Sequence, residues 1–244
     1  WTTVGSAGFS AGEADYTSIS IDKNGVPYVV YSDFSNSHIA TVMKYSGGAW
    51  TTVGSAGFSG VGVSYTSIAI DGSNVPYVAY SDNSCKATVM KYTGSGTTGW
   101  ENVGSAGFSA GVAFGTSIVI DKNNVPYVVY QDYSNSIKAT AMKYSGGAWT
   151  TVGSPGFSAG EAFYTSIAID GSGVPYVVYR DSVNSYKATV MKYADGAWTT
   201  VGSAGFTGLL ASFTSIAIDG SGTPYVVYRD YSHGNKATVM NFAP

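Results

Sequence analysis

Fifteen carboxylates are the first candidates for chemistry, because a pair of acids at a defined separation can protonate and attack a glycosidic bond. Ten of the twelve aspartates recur at fixed intervals: Asp22, Asp71, Asp121, Asp170 and Asp219 in one set, Asp33, Asp82, Asp132, Asp181 and Asp230 in another. An acid that returns in every repeat serves the repeat, as an acceptor for backbone N–H groups of a turn. Five acids break the pattern: Glu13, Asp15, Glu101, Glu161 and Asp195. Of these, Glu13, Asp15 and Glu161 precede a recurring T-S-I-x-I-D box and are the residues on which a glycoside hydrolase would rest. Glu13 and Asp15 share one segment, and no catalytic residue is assigned.

Other reactive side chains are sparse. His38 and His233 stand at non-equivalent positions and read as surface histidines. Cys85 is the single cysteine, so neither an intramolecular disulfide nor a Cys/His metal site is expected. The glycine-rich stretch G-S-A-G-F-S-A-G lacks the lysine and the following helix of a phosphate cradle. No cofactor and no metal are expected. Only 11% of the residues are charged and the formal net charge is −3, which leaves no electrostatic footprint for nucleic acid. Apolar runs are too short for a membrane-spanning helix, so no membrane insertion is expected.

The elements that position these residues come in five copies. Trp1, Trp50, Trp100, Trp149 and Trp198 open near-identical segments of the form W-T-T-V-G-S-A-G-F-S, spaced 49, 50, 49 and 49 residues apart. Each repeat continues with T-S-I-x-I-D, P-Y-V-x-Y-x-D and A-T-x-M boxes. β-Branched and aromatic residues dominate the boxes, and Gly, Asn and Ser fill the intervals, so each repeat reads as four strands, A to D, with essentially no helix. Proline at the start of strand B sits where a missing N–H is tolerated. The tryptophans, together with Phe9, Phe58, Phe108, Phe157 and Phe206, read as packing residues.

In Pro27-Tyr28-Val29-Val30-Tyr31 both alternating sets are apolar, so the sheet is covered on both faces. Repeated four-stranded sheets stacked between like neighbours describe an all-β, five-bladed β-propeller, one domain over 1–244 and a monomer. The expected blades are 17–54, 66–104, 116–153, 165–202, and 214–242 completed by residues 1–5. The chain opens with a D strand and ends after a C strand, so residues 1–5 are expected to close the last blade as its outer strand. Five Thr-Ser pairs are expected to line the axis.

Five near-identical blades of this length resemble the highly symmetric five-bladed propellers of the tachylectin-2-type lectins. The resemblance lies in architecture, blade count and repeat length, not in the repeat motif, and it implies a sugar-binding module without supplying site residues. The turn S-I-x-I-D-x-x-G-x-P-Y also resembles the Asp-box of sialidase blades as a turn device.

The repeats differ most ahead of strand A and between strands B and C, which share one face. The candidate ligand site there combines Asp33, Asp82, Asp132, Asp181 and Asp230 with Tyr16, Tyr65, Phe114, Phe163 and Phe213, and with Arg180 and Arg229 as extra donors. Planar apolar rings beside hydrogen-bonding groups suit sugar rings and their hydroxyls. The expected partner is therefore glycan, held at several weak sites without turnover. The competing expectations are a structural or protein-interaction propeller and a glycoside hydrolase. A plainer role for the Y-x-D aspartates is a cross-loop pair with Lys86, Lys138, Lys187 or Lys236.

Overall fold

The computed structural model describes residues 1–242. They form five antiparallel sheets, distributed over two compact units, Trp1–Ser109 and Ala110 onward. The first unit holds blade 1, made of β1 (Ala14–Ile21), β2 (Pro27–Asp33), β3 (Ile39–Ser46) and β4 (Ala49–Thr52), and blade 2, made of β5 (Ser64–Ile70), β6 (Pro76–Ser81), β7 (Ala87–Tyr92) and β8 (Trp100–Asn102). The second unit holds three blades. Blade 3 is β9 (Ala113–Ile120), β10 (Pro126–Asp132), β11 (Lys138–Ser145) and β12 (Ala148–Thr151). Blade 4 is β13 (Ala162–Ile169), β14 (Pro175–Asp181), β15 (Lys187–Ala194) and β16 (Ala197–Thr200), and blade 5 is β17 (Ala211–Ile218), β18 (Pro224–Asp230) and β19 (Lys236–Asn241). Strands within each blade pair in chain order as a meander. The only helical segments among the described residues are four single 3-10 turns between the second and third strands of blades 1, 3, 4 and 5.

In blades 1 to 4 the second strand is the core, as its two apolar faces require, whereas β18 of blade 5 is buried on one face only. All six residues of β6 and all seven of β10 are buried. In the first unit Tyr28, Val30 and Val42 of blade 1 pack against Ile68, Val78 and Tyr80 of blade 2. In the second unit Val178 and Tyr176 of blade 4 pack in the same way against Ile216, Val226 and Tyr228 of blade 5. Burying such a valine is worth about 1.5–3 kcal/mol, an upper estimate because the unfolded chain already hides some surface.

The Thr-Ser pairs staple the first strands of neighbouring blades within each unit at a separation of 50 residues. Thr165 Oγ1 donates to the Gly115 carbonyl at 2.8 Å, and Ser117 Oγ accepts from Ile167 N at 3.3 Å. Thr214 Oγ1 donates to Tyr164 O at 2.5 Å, and Ser166 Oγ accepts from Ile216 N at 3.3 Å. Thr66 Oγ1 likewise donates to Tyr16 O. Edge-strand polar groups that would otherwise lie buried and unpaired are satisfied by this cross-blade bonding.

The expected outer strand from residues 1–5 is not formed. Blade 5 has three strands, and residues 1–5 carry no strand pairing. What fixes the segment is its other end: the Val4 carbonyl accepts from Trp50 Nε1 at 2.9 Å, and Phe9 stacks on the Trp50 ring at 4.1 Å. The outward face of blade 1 stays exposed, with Ile19 at 63% where its counterpart Ile68 is at 5%.

Candidate ligand site

Five loops between second and third strands carry the Y-x-D aspartates, and each loop is built on that carboxylate. Asp132 is 1% exposed. Its Oδ1 accepts from Ser134 N at 3.0 Å, and its Oδ2 accepts from Asn135 Nδ2 at 2.8 Å and Thr140 Oγ1 at 2.7 Å. Asp181 repeats the pattern with Val183 N, Asn184 Nδ2 and Thr189 Oγ1. Asp33 accepts from the hydroxyls of Ser35 and Thr41, and the half-buried Asp82 from Ser84 N, Lys86 N and Thr88 Oγ1. The Thr hydroxyl passes the bond on: Thr140 Oγ1 accepts from Gly156 N at 2.8 Å, tying the loop to the entry of the next repeat.

Asp230 adds a ring to this network. His233 Nδ1 lies 2.8 Å from Asp230 Oδ2 and Thr238 Oγ1 donates at 2.9 Å. Hydrogen bonds from the Ser232 hydroxyl above all, then from His233 and Thr238, hold the Asp230 carboxyl well below the usual carboxylate range. Of the five aspartates, Asp33, Asp132, Asp181 and Asp230 are buried. They act as positioning groups, and the lysine partners expected across the loop form no ion pair with them: among the described residues the single pair is His233–Asp230. The A–B aspartates do the turn work expected of them, as when Asp22 Oδ1 accepts from Asn24 N and Val26 N at 2.8 and 2.9 Å.

The first strands begin earlier than the T-S-I boxes, so the aromatics ahead of each box are strand residues beside a bulge. Register shifts at this point in all five blades. The residue just before the box takes a positive φ: Tyr16 (50°), Tyr65 (54°), Tyr164 (53°) and Phe213 (54°), with Gly115 (59°) in blade 3. Left-handed backbone costs a non-glycine residue about 1–2 kcal/mol, so four aromatic residues hold a strained position that Gly115 takes freely. The five aromatics named from the sequence therefore form two sets. Tyr16, Tyr65 and Phe213 occupy the bulge, whereas Phe114 and Phe163 stand one residue earlier, opposite Gln131 and Arg180. Tyr164, which sequence reasoning missed, is the true bulge residue of blade 4; aligning the repeats on the threonine would have found it.

Bulge aromatics of adjacent blades meet. The Tyr16 and Tyr65 rings lie 4.9 Å apart, and the Tyr164 and Phe213 rings 4.7 Å apart. Phe114 meets Tyr133 edge-on at 5.2 Å. Arg180, near the end of β14, brings the densest cluster together. Its guanidinium carbon is 4.7 Å from the Phe163 ring centre, 5.0 Å from Tyr164 and 5.1 Å from Tyr186. Contacts of this kind are worth about 0.5–2 kcal/mol each according to their exposure. Nη1 donates to Ser212 Oγ on blade 5 at 3.4 Å, while Nε is excluded from solvent without an acceptor. Tyr186 itself is 41% exposed at φ 60°, and Phe213 is 61% exposed. Arg229 makes a smaller version, 5.1 Å from the Tyr231 ring.

The remaining chemical candidates stay apart from this cluster or are occupied. Glu13 and Asp15 are exposed on blade 1 and Glu161 is half-buried on blade 4. The Glu161 carbonyl accepts from Ser182 N at 3.1 Å. His38 meets the Phe34 ring edge-on at 4.8 Å. Cys85 is a free, half-buried thiol. Among the described residues no three His, Cys, Asp or Glu side chains group as metal ligands, and no helix is long and apolar enough to cross a membrane.

Comparison with solved structures settles the fold. AofleA from Arthrobotrys oligospora superposes with a TM-score of 0.64 at 13% identity, over 92% of this chain and 66% of that one. The six-bladed fucose-recognising lectin of Aleuria aurantia gives 0.63 at 15% identity, over 93% and 78%. A microbial sialidase, Hz136, gives 0.62 at 14% identity, over 96% and 57%. The chain is a five-bladed β-propeller. It spans less than two thirds of AofleA and of the sialidase. No protein-family model and no curated protein matches its sequence. At these identities the likeness carries architecture alone.

Proposed function

We propose that this propeller is a non-enzymatic carbohydrate-binding module, with its sites on the face that carries the bulge aromatics and the B–C loops. The observation that supports the reading is the cluster of Arg180, Phe163, Tyr164, Tyr186 and Phe213, in which exposed ring faces stand beside guanidinium donors. Sugar rings present an apolar face and a rim of hydroxyls, so they match a ring platform flanked by donors. Propellers of similar architecture include a lectin solved with a fucose-containing disaccharide, Fucα1-6GlcNAc. Repeating a shallow site across blades raises avidity for repeated glycans without a tight single site.

A glycan array followed by titration with the best binder tests this. Saturable binding that falls at least tenfold in Tyr186→Ala is expected. A folded protein that binds no glycan at millimolar concentration refutes the proposal and leaves a protein-interaction propeller. The hydrolase reading draws on the sialidase and xylanase among the similar structures. Turnover of a chromogenic glycoside that disappears in Glu161→Gln would establish it instead.

A further inference from the structure

We propose that the Arg180 cluster selects sugars that carry an oxyanion, a carboxylate or a sulfate, over neutral sugars; this rests on the carbohydrate-binding reading. A guanidinium keeps its charge at every accessible pH, and a half-buried one is ordinarily matched by a carboxylate. Arg180 has no such partner, since the single ion pair among the described residues lies elsewhere, between His233 and Asp230. The protein surrounds the cation with three ring faces instead, and these stabilise charge without neutralising it.

The donor inventory points the same way. Nη1 has one long bond, 3.4 Å, to Ser212 Oγ, and Nε has no acceptor. Nη2 makes no hydrogen bond within the protein and is not shut off from solvent, so it is the donor an incoming group can reach. With Nε sealed and Nη1 engaged, an acceptor meets the group at Nη2, beside the exposed Tyr186 ring 5.1 Å from the guanidinium carbon, on which a sugar ring can rest. A charged acceptor gains most there, because it adds the attraction of opposite charges to a hydrogen bond that a neutral hydroxyl makes with its dipole alone.

The equivalent positions make the selectivity a property of blade 4. Ser32, Ser81 and Gln131 stand where Arg180 stands, and they carry no charge. Arg229 has the charge but one ring instead of three, and it is exposed.

The test uses methyl β-D-glucuronide, methyl β-D-glucoside and glucose 6-sulfate as probes, titrated by NMR and calorimetry into the whole chain. The glucuronide or the sulfate is expected to bind at least tenfold tighter than the glucoside at low salt. That margin should shrink as salt is raised, because the contact is partly exposed. A margin for both anions means that charge is read, and a margin for one of them names the group; either result supports the inference. Arg180→Gln should weaken the charged probes more than the glucoside and so abolish the margin, Arg180→Lys should keep part of it, and Arg229→Gln should leave it unchanged. Equal affinity for charged and neutral probes, or a margin that survives in Arg180→Gln, overturns the inference and leaves the carbohydrate-binding reading intact. Failure to bind all three probes, in a protein that also fails on the glycan array, overturns both.

Discussion

One residue repeated in different settings offers an internal test of how the blades are held together. Trp100 is 5% exposed; its ring stacks on Phe58 at 4.1 Å and its Nε1 donates to Val53 O at 2.9 Å. Trp50 makes the same two contacts, with Phe9 at 4.1 Å and Val4 O at 2.9 Å, but is only half-buried. Trp1 opens the same motif fully exposed. The difference between Trp100 and Trp50 traces to the long turn at 93–99, where Thr98 O accepts from Ser55 N at 2.9 Å and Thr97 O from the Ser55 hydroxyl at 3.3 Å, folding the turn over the indole. Removing a buried tryptophan costs about 3–5 kcal/mol. The Val53 carbonyl that loses its donor keeps Trp100→Ala near the upper end of that range. Trp50→Ala should cost about half as much, and Trp1→Ala should fall within about 0.5 kcal/mol of the parent, as exposed substitutions do. Guanidinium unfolding followed by far-UV dichroism measures all three, with the midpoint read at constant slope. Equal losses for Trp1→Ala and Trp100→Ala, or a loss below about 1 kcal/mol for Trp100→Ala, would refute the packing role of the motif.

Three further outcomes follow from the loop and core networks. Asp132→Ala strands three donors and should destabilise by about 3 kcal/mol, whereas Asp82→Ala, half-buried and open to replacement water, should cost about 1 kcal/mol; thermal melts of the two variants decide. Burial first, then the charge of Asp33, pushes the Tyr31 phenol up to about 12, and Tyr80, Tyr130 and Tyr179 are raised by the same causes with their own neighbouring aspartates. Their contribution to stability is complete below about pH 10, the unfolded phenol value, and is lost as pH rises through the folded values. Absorbance at 295 nm should therefore show this core set ionising only as near-UV dichroism collapses. Asp230 has the opposite sign: its lowered value contributes stability above about pH 4 that is lost as pH falls below, so Asp230→Asn should flatten the acid limb of the stability curve.

The blade was legible in the sequence because its determinants are local and repeated. Proline at the start of strand B, Asp in the A–B turn and two apolar faces on P-Y-V-V-Y each fix one feature, and the five copies agree. Positive φ at Gly25, Asn74, Asn124, Gly173 and Gly222 follows from the residue types at one aligned turn position. The bulge was not legible, since nothing about Tyr16 or Tyr164 as residue types announces a left-handed backbone; only the Thr hydroxyl from the neighbouring blade holds them there. The aspartates were legible as acids but not as buried ones, because their donors Asn135 and Thr140 come from opposite sides of the loop. The outer strand expected from residues 1–5 rested on motif counting, which does not report whether the spare segment forms a strand at all.

The division of labour within each repeat explains why a near-identical chain can carry unequal sites. Asp, Thr and the backbone of the next repeat's entry loop form a closed network: Asp181 takes Thr189 Oγ1, and Thr189 Oγ1 takes Gly205 N. Every member of that network is constrained by a buried partner, so substituting any one strands another. The residue between Tyr179 and Asp181 is outside it. Its backbone pairs with the first strand whatever its side chain, and it points into the space between the bulge and the loop. This one position holds Ser, Ser, Gln, Arg and Arg in blades 1 to 5. Changing it costs the scaffold little and changes the chemistry beside the bulge aromatic completely. On the proposed reading specificity is a property of individual blades, and transplanting it should take few residues. Placing arginine at position 81 alone should not reproduce the blade 4 site, because the shorter loop of blade 2 offers Cys85 and no aromatic residue in the stretch where blade 4 has Tyr186. In the Arg180→Gln background Ser81→Arg should therefore fail to restore the proposed preference for charged sugars, whereas restoring Arg180 returns it.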